Sequence, residues 1–258
     1  MRATRNYLSP ICLLLPCIGF LLAIGTAQAT THPDYELFDD LLLQNVRRGF
    51  VDYDGLNADP RFPTFIKQIG MTDSKVMKST DDQLAFYINT YNALALRGIL
   101  DGLSPSSRFG RIKFFDRAKF LVLGEETSLS TLEHERIIPI GDPRIHFAIV
   151  CASLSCPRLS SRAYLSADIN NQLHEAARRF INDPTRNRFD LERRIAFISM
   201  IFEWYEEEFV TAGGSVQQYI ARFVSDARVQ DALRLDKFEL RYEKYDWSLN
   251  GHFSGKDK

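Results

Sequence analysis

The chain has 258 residues, 45% of them hydrophobic and 25% charged, with a formal net charge of -1. That balance suits a globular protein and supplies no basic field for a nucleic-acid partner or an anionic membrane surface. A chain this long buries a core without covalent staples.

The first residues read as an export signal. Arg2 and Arg5 precede an apolar stretch from Ile11 to Ile24, broken by Pro16 and Gly19, and Ala27-Gln28-Ala29 is a small-x-small cleavage site. The apolar run, about 14 residues, falls short of the roughly 20 that span a bilayer. Residues 1–29 are therefore expected to be a signal peptide cleaved near Ala29. Residues 30–258 are then a periplasmic or secreted domain with no integral membrane segment after cleavage. About 229 residues fit one large domain or two small ones. The absence of repeats, low-complexity tracts and Gly/Ser linkers favours one. Two cysteines go with the leader, leaving Cys151 and Cys156 in a compartment that permits oxidation.

In chain order, the spacing of Leu37, Phe38, Leu41, Leu42 and Val46 predicts a helix over residues 34–48. A short extended piece over 50–53 and a turn at Asp54-Gly55 follow. A second helix spans 60–69, stopped by Gly70. Ser79 and the acids after it cap a long helix over 80–100. It is apolar nearly all round, as a helix buried in the middle of a domain is. Residues 120–127 predict a hairpin. Residues 128–138 predict a helix in which Glu133, three after Ser130, has capping-box spacing. The run His146-Phe147-Ala148-Ile149-Val150-Cys151 reads as a buried strand. Beyond it come helices over 166–181, 200–209 and 216–224, and strands over 194–199 and 238–242. Strands and helices do not alternate regularly, which argues against a doubly wound sheet. The expected class is α+β: a mostly helical single domain with a central buried helix and a small sheet of short strands.

The concentration of chemistry lies between Asp142 and Pro157, which holds Arg144, His146 and both cysteines. Thiol catalysis needs a thiolate, an imidazole and a group that orients it. Cys151, Cys156 and His146 could supply the first two, with Glu133 or Asp246 as the acid. A simpler reading of the same residues is a disulfide between Cys151 and Cys156, with His146 as a core residue. A weaker one is a three-ligand metal arrangement that fits no zinc signature. Asn89 and Asn92 sit one turn apart in the apolar helix and must find partners, since a buried unpaired amide costs about 1–3 kcal/mol. They either line a pocket or staple a loop. No phosphate loop, Gly-x-Ser-x-Gly elbow or His-Glu-x-x-His is present. Residues 202–209 read as an aromatic core stripe with an acidic solvent face.

Several stretches together resemble the family known as domain of unknown function 547. They are Val51-Asp52-Tyr53, Leu84 to Leu94 with its Asn-x-Tyr-Asn element, Leu129 to His134, Asp142 to Pro157, Ile201 to Phe209, and Tyr245 to Asn250. Tyr87 departs from the Trp common in that family. The resemblance implies an exported bacterial single-domain protein and hands over no reaction. Relatives that vary the second cysteine weaken Cys156 as a general nucleophile.

Two function classes follow, and the sequence leaves open whether the chain is an enzyme. One is a thiol-dependent hydrolase or acyl transferase. The other is a non-enzymatic periplasmic binding or scaffold protein stapled by a Cys151–Cys156 disulfide. Either would act on a small molecule or peptide, and no cofactor is expected. The sharpest expectation is a single pocket shared by Asn89, Asn92, Glu133, Arg144, His146, Cys151 and Asp246, because buried polar groups must satisfy one another or line a cavity. In it His146 is the base, Glu133 or Asp246 orients it, and Arg144 holds an anionic group.

Overall fold

The computed structural model describes residues 32–256. The signal peptide expected at residues 1–29 lies outside them. Helix α1 (Tyr35–Asn45) opens at Asp34, whose carboxylate accepts the Leu37 N–H, and buries Phe38, Leu41 and Leu42. It ends earlier than its apolar spacing suggests. Val46–Arg47 (β1) pairs instead with Phe50–Asp52 (β2) through a turn in which Arg48 and Gly49 both have positive φ. Asp54 and Gly55 do not form the expected free turn. They lie in α2 (Tyr53–Ala58), because Asp52 caps it by accepting the Gly55 N–H. In α3 (Arg61–Met71), Phe65 stacks on Phe38 with ring centroids 4.4 Å apart.

Helix α4 (Thr80–Leu100) begins at a capping box formed by Ser79 and Asp82, and every residue from Leu84 to Leu96 is buried. This is the central helix that its near-continuous apolarity predicts. Short α5 (Arg108–Arg111) runs into a π-helical turn, Ile112–Arg117. The expected hairpin forms from β3 (Phe120–Val122) and β4 (Glu125–Thr127). Next, α6 (Leu129–Leu132) is capped by Ser128, which accepts the Thr131 N–H, so Ser130 and Glu133 form no capping box. A second π-helical turn, Glu133–Ile137, continues it.

The segment read as a buried strand over 146–151 is not one: His146 and Phe147 end a 3-10 helix, Pro143–Phe147, and residues 148–151 are turn and irregular chain. Local chemistry explains the correction. Asp142 accepts the Arg144 N–H as an N-cap, and Pro143 sits in the first turn with its φ already set for a helix. The apolar run that suggested a strand is equally a buried irregular segment, a known ambiguity of short apolar runs.

Helix α7 (Ile169–Ile181) follows. A second sheet then forms: β5 (Arg188–Asp190) is antiparallel to β6 (Ile195–Ser199), which is parallel to β7 (Glu239–Glu243). The aromatic helix expected over 200–209 is broken at Tyr205 into α8 (Ile201–Trp204) and α9 (Glu206–Gly213). After α10 (Val216–Ala221) comes an unforeseen helix, α11 (Ala227–Arg234), capped by Asp226. Finally β8 (Gly251–His252) pairs in parallel with β2, carrying the chain end back to its start. The architecture is mostly helical α+β with small sheets of short strands. Among the described residues no helix is long and apolar enough to cross a membrane.

Buried side chains form two clusters. The larger surrounds α4. The smaller is aromatic, with Phe147, Phe180, Phe202 and Phe209 in mutual ring contact. Phe147 belongs to the second and its neighbour Ala148 to the first. The segment carrying His146 and Cys151 thus runs along the seam between them.

Candidate functional site: a thiol in an aromatic cleft

A cleft of about 670 Å³ opens over this seam. Both π-helical turns contribute to its wall, through Ile112 and Phe115 on one and Glu133 and His134 on the other. Such i→i+5 turns recur at functional sites because they shift the side chains after them off the helical register. His146, Cys151 and Cys156 line the cleft as well, with Trp204 and Tyr205 from the α8–α9 break and Tyr245 and Trp247 from the C-terminal strip.

Cys151 is held by backbone on both sides. Ala152, next in the chain, takes φ 58, a left-handed conformation unusual for a residue with a Cβ. The loop after it is tied to the C-terminal strip. Leu154 N–H donates to Ser248 O at 2.8 Å, Ser155 N–H to Asp246 O at 3.1 Å, and Asn250 N–H to Ala152 O at 3.1 Å. These bonds lay Tyr245 over the thiol, with its hydroxyl 3.2 Å from Cys151 Sγ, and Ser153 Oγ sits 2.9 Å away. The Cys151 N–H donates to Cys156 Sγ at 2.9 Å. Both cysteines are free thiols in hydrogen-bond contact, and no disulfide joins them.

The two thiols are pushed in opposite directions. Burial raises Cys151, but hydrogen bonds from Cys156, Ser153 and Tyr245 outweigh it and bring the thiol down to about 7. Burial, reinforced by Cys151 beside it, pushes Cys156 well above the ordinary thiol range. Tyr245 is also pushed well up, by burial and then by the nearby sulfurs, so it stays a phenol and keeps a proton to donate. The pair therefore divides into one ionisable thiol and one that remains S–H.

His146 is buried, and its Nε2 lies 3.0 Å from Glu208 Oε2. A carboxylate only accepts, so Nε2 carries the proton in this contact and the neutral ring keeps a lone pair on Nδ1. Nδ1 has no hydrogen-bond partner in the structure. Tyr205 stacks on the imidazole at 3.7 Å between centroids, and Phe209 meets it edge-on at 5.7 Å. Glu133 accepts from Tyr91 at 2.9 Å and from Tyr205. It therefore fixes the ring that supports His146 but does not touch His146.

The other residues expected in a shared pocket do not line it. Asn89 donates to Tyr164 O at 2.7 Å and accepts the Tyr164 N–H at 2.8 Å. Asn92 donates to Ala148 O at 3.0 Å and accepts the Val150 N–H at 2.9 Å. Both amides are satisfied as loop staples, and Asn92 fixes the backbone leading into Cys151. Arg144 is turned to Asp142 and Asn170. Asp246 is exposed and closes a turn by accepting the Ser248 N–H. One pocket thus gathers Glu133, His146, Cys151 and Cys156, but not Asn89, Asn92, Arg144 or Asp246. Among the described residues no group of three or more His, Cys, Asp or Glu side chains converges as a metal site would require.

Residues 75–181 match the family model described as a protein of unknown function, DUF547. Over this region, less than half of its 258 residues, the chain is similar to the DUF547 family. The matched DUF547 region runs from just before α4 through α7 and contains Glu133, His146, Cys151 and Cys156. Tyr205, Tyr245 and Trp247 complete the cleft from outside it, and Glu208, also outside it, meets His146. No curated protein and no solved structure matches the chain.

Glu208 escaped sequence reasoning because its neighbours Glu206 and Glu207 make it look like part of a solvent face. Tyr245 escaped because its contact with Cys151 spans 94 positions of chain, which no local spacing signals. The signal available for Glu208 was its placement in an acidic run flanked by Phe202 and Phe209, both core rings.

Proposed function

We propose that this chain is a thiol-dependent hydrolase or acyl transferase, with Cys151 as nucleophile and His146, oriented by Glu208, as the proton carrier. The observation that carries the reading is the Cys151 thiol. Three hydrogen bonds bring it down to about 7 against the pull of burial, in a cleft that it shares with a histidine paired to a carboxylate. A thiol tuned near ambient pH combines thiolate fraction with nucleophilicity. In the reaction the Cys151 thiol gives its proton to His146, and the thiolate attacks an acyl carbonyl, forming an S–C bond as the C–O or C–N bond to the leaving group breaks. The leaving oxygen or nitrogen departs with a proton from His146. Water, or an acceptor hydroxyl or amine, then gives its proton to His146 and attacks the thioester, releasing the thiolate. Cys156, kept as S–H, and Tyr245 hold the sulfur in place and support its charge. The leader-like residues 1–29 support action outside the cytoplasm.

The test is acylation by p-nitrophenyl butyrate, followed by p-nitrophenol release and by peptide mass mapping. The adduct is expected on Cys151 and not on Cys156, and Cys151→Ala should lose both adduct and turnover. Equal turnover by Cys151→Ala, or an adduct confined to another residue, would sink the reading.

A further inference from the structure

We infer that the ligand of this cleft carries an anionic group, a carboxylate or a phosphate, that sits on Arg108 and Arg111, while its apolar body lies on Trp247 and Trp204. The inference deepens the proposal above by naming a substrate class, and it rests on the cleft being the substrate site.

The two arginines line the cleft on the side built by α5. Most arginines elsewhere in the fold are spoken for: Arg61, Arg97, Arg144, Arg158 and Arg162 each meet a carboxylate. Among the described residues, neither Arg108 nor Arg111 does. Arg111 is nevertheless positioned. Its guanidinium lies 4.6 Å over the Trp247 ring, and its Nη1 donates to Pro105 O at 3.3 Å. A guanidinium held over an indole face still has further N–H groups to offer a carboxylate or phosphate in two-point fashion. The acids of the same wall do not neutralise the pair. Glu133 is occupied by two tyrosine hydroxyls, and Asp116 makes no ion pair with either arginine.

From Arg111 an aromatic floor leads to the thiol. Trp247 stacks on Trp204 at 5.8 Å between centroids and meets Tyr245 at 4.6 Å, and the Tyr245 hydroxyl touches Cys151. A charged end, an aromatic floor and a nucleophile in that order fit an acyl donor with an anionic terminus.

The chain has two tryptophans, and both line this cleft, so intrinsic fluorescence reports occupancy of the site alone. The probes are 4-phenylbutyrate and phenyl phosphate as the two anion types, and 4-phenylbutanamide as the neutral match. At low salt at least one anion should bind about tenfold more tightly than the amide, the size of one screened charge-assisted hydrogen bond. The Arg108→Gln/Arg111→Gln double variant should bring that anion to the amide's level and leave the amide unchanged. Arg108 is exposed, so Arg108→Gln alone should keep the fold and lose part of the preference. Equal binding of all probes, no binding of any, or a preference that survives the double variant overturns the inference. Arginine-dependent anion preference without ester turnover leaves it standing and removes the nucleophile proposal. Turnover without the preference does the reverse.

Discussion

At Cys151, burial and hydrogen bonding oppose each other, and the balance is what gives the residue its chemistry. Burial alone makes a thiol inert by disfavouring the anion. Here Cys156, Ser153 and Tyr245 reverse the sign. The reactive thiolate is therefore the major form above pH about 7 and is lost as pH falls through that value. Alkylation of the folded protein by iodoacetamide should follow this curve at Cys151 and leave Cys156 untouched. Tyr245→Phe removes one donor, so the midpoint should move upward and the rate at pH 7 should fall several-fold. A wild-type midpoint near that of a free thiol, about 8.5, or no shift in Tyr245→Phe, would show that the hydroxyls do not set the thiol. His146 teaches a related lesson. Sequence marks it as a candidate base, but its orienting acid is Glu208, 62 positions away, and neither Glu133 nor Asp246.

At the scale of elements, α4 acts as the frame on which the site is hung. Its apolar spacing was legible because a wholly buried helix shows apolar residues on every face. The job of Asn92 was legible only as a need for partners. In the fold it bonds Ala148 O and the Val150 N–H, so removing it leaves two buried backbone groups unpaired. Asn92→Ala should cost about 2–6 kcal/mol, taking roughly 1–3 for each of the two orphaned groups. A urea titration should show a lower midpoint with an unchanged slope. A loss under about 0.5 kcal/mol would mean that the 148–150 segment holds itself. The break between α8 and α9 is the counter-example. The composition of residues 202–209 is good helix, yet the chain leaves helical geometry at Tyr205 (φ -118, ψ 29). That break seats Tyr205 between His146 and Glu133 and lets Glu208 reach the imidazole. Local propensity does not encode it.

For the whole molecule, the seam between the two buried clusters matters most. Phe147 stacks in the aromatic cluster while Ile145 and Ala148 on either side of it belong to the cluster around α4. Phe147→Ala should destabilise by about 3–5 kcal/mol, the usual cost of emptying a buried phenyl site. It should also blunt Cys151 alkylation at pH 7 in the fraction that stays folded. A loss below about 1 kcal/mol would mean that the clusters do not depend on each other through this ring. The C-terminal strip is the second long-range tie. Tyr53 OH donates to Asn250 Oδ1 at 2.8 Å, and β8 pairs with β2 across nearly the full described chain. This closure, more than any local signal, delivers Tyr245 and Trp247 to the cleft.

The sequence by itself determined the class of fold, the central helix, the hairpin over 120–127, and the segment in which the chemistry is concentrated. Each of these rests on near neighbours: side-chain periodicity, capping residues, and His146, Cys151 and Cys156 lying within eleven positions. Tertiary structure alone decided that Cys151 and Cys156 are unequal thiols, that Glu208 serves His146, and that Asn89, Asn92, Arg144 and Asp246 are staples. The decisive contacts span 56 to 94 positions of chain: Asn92 to Ala148, His146 to Glu208, Asn89 to Tyr164 and Cys151 to Tyr245. Hydrogen bonding and burial act through space, and no spacing rule along the sequence carries that information.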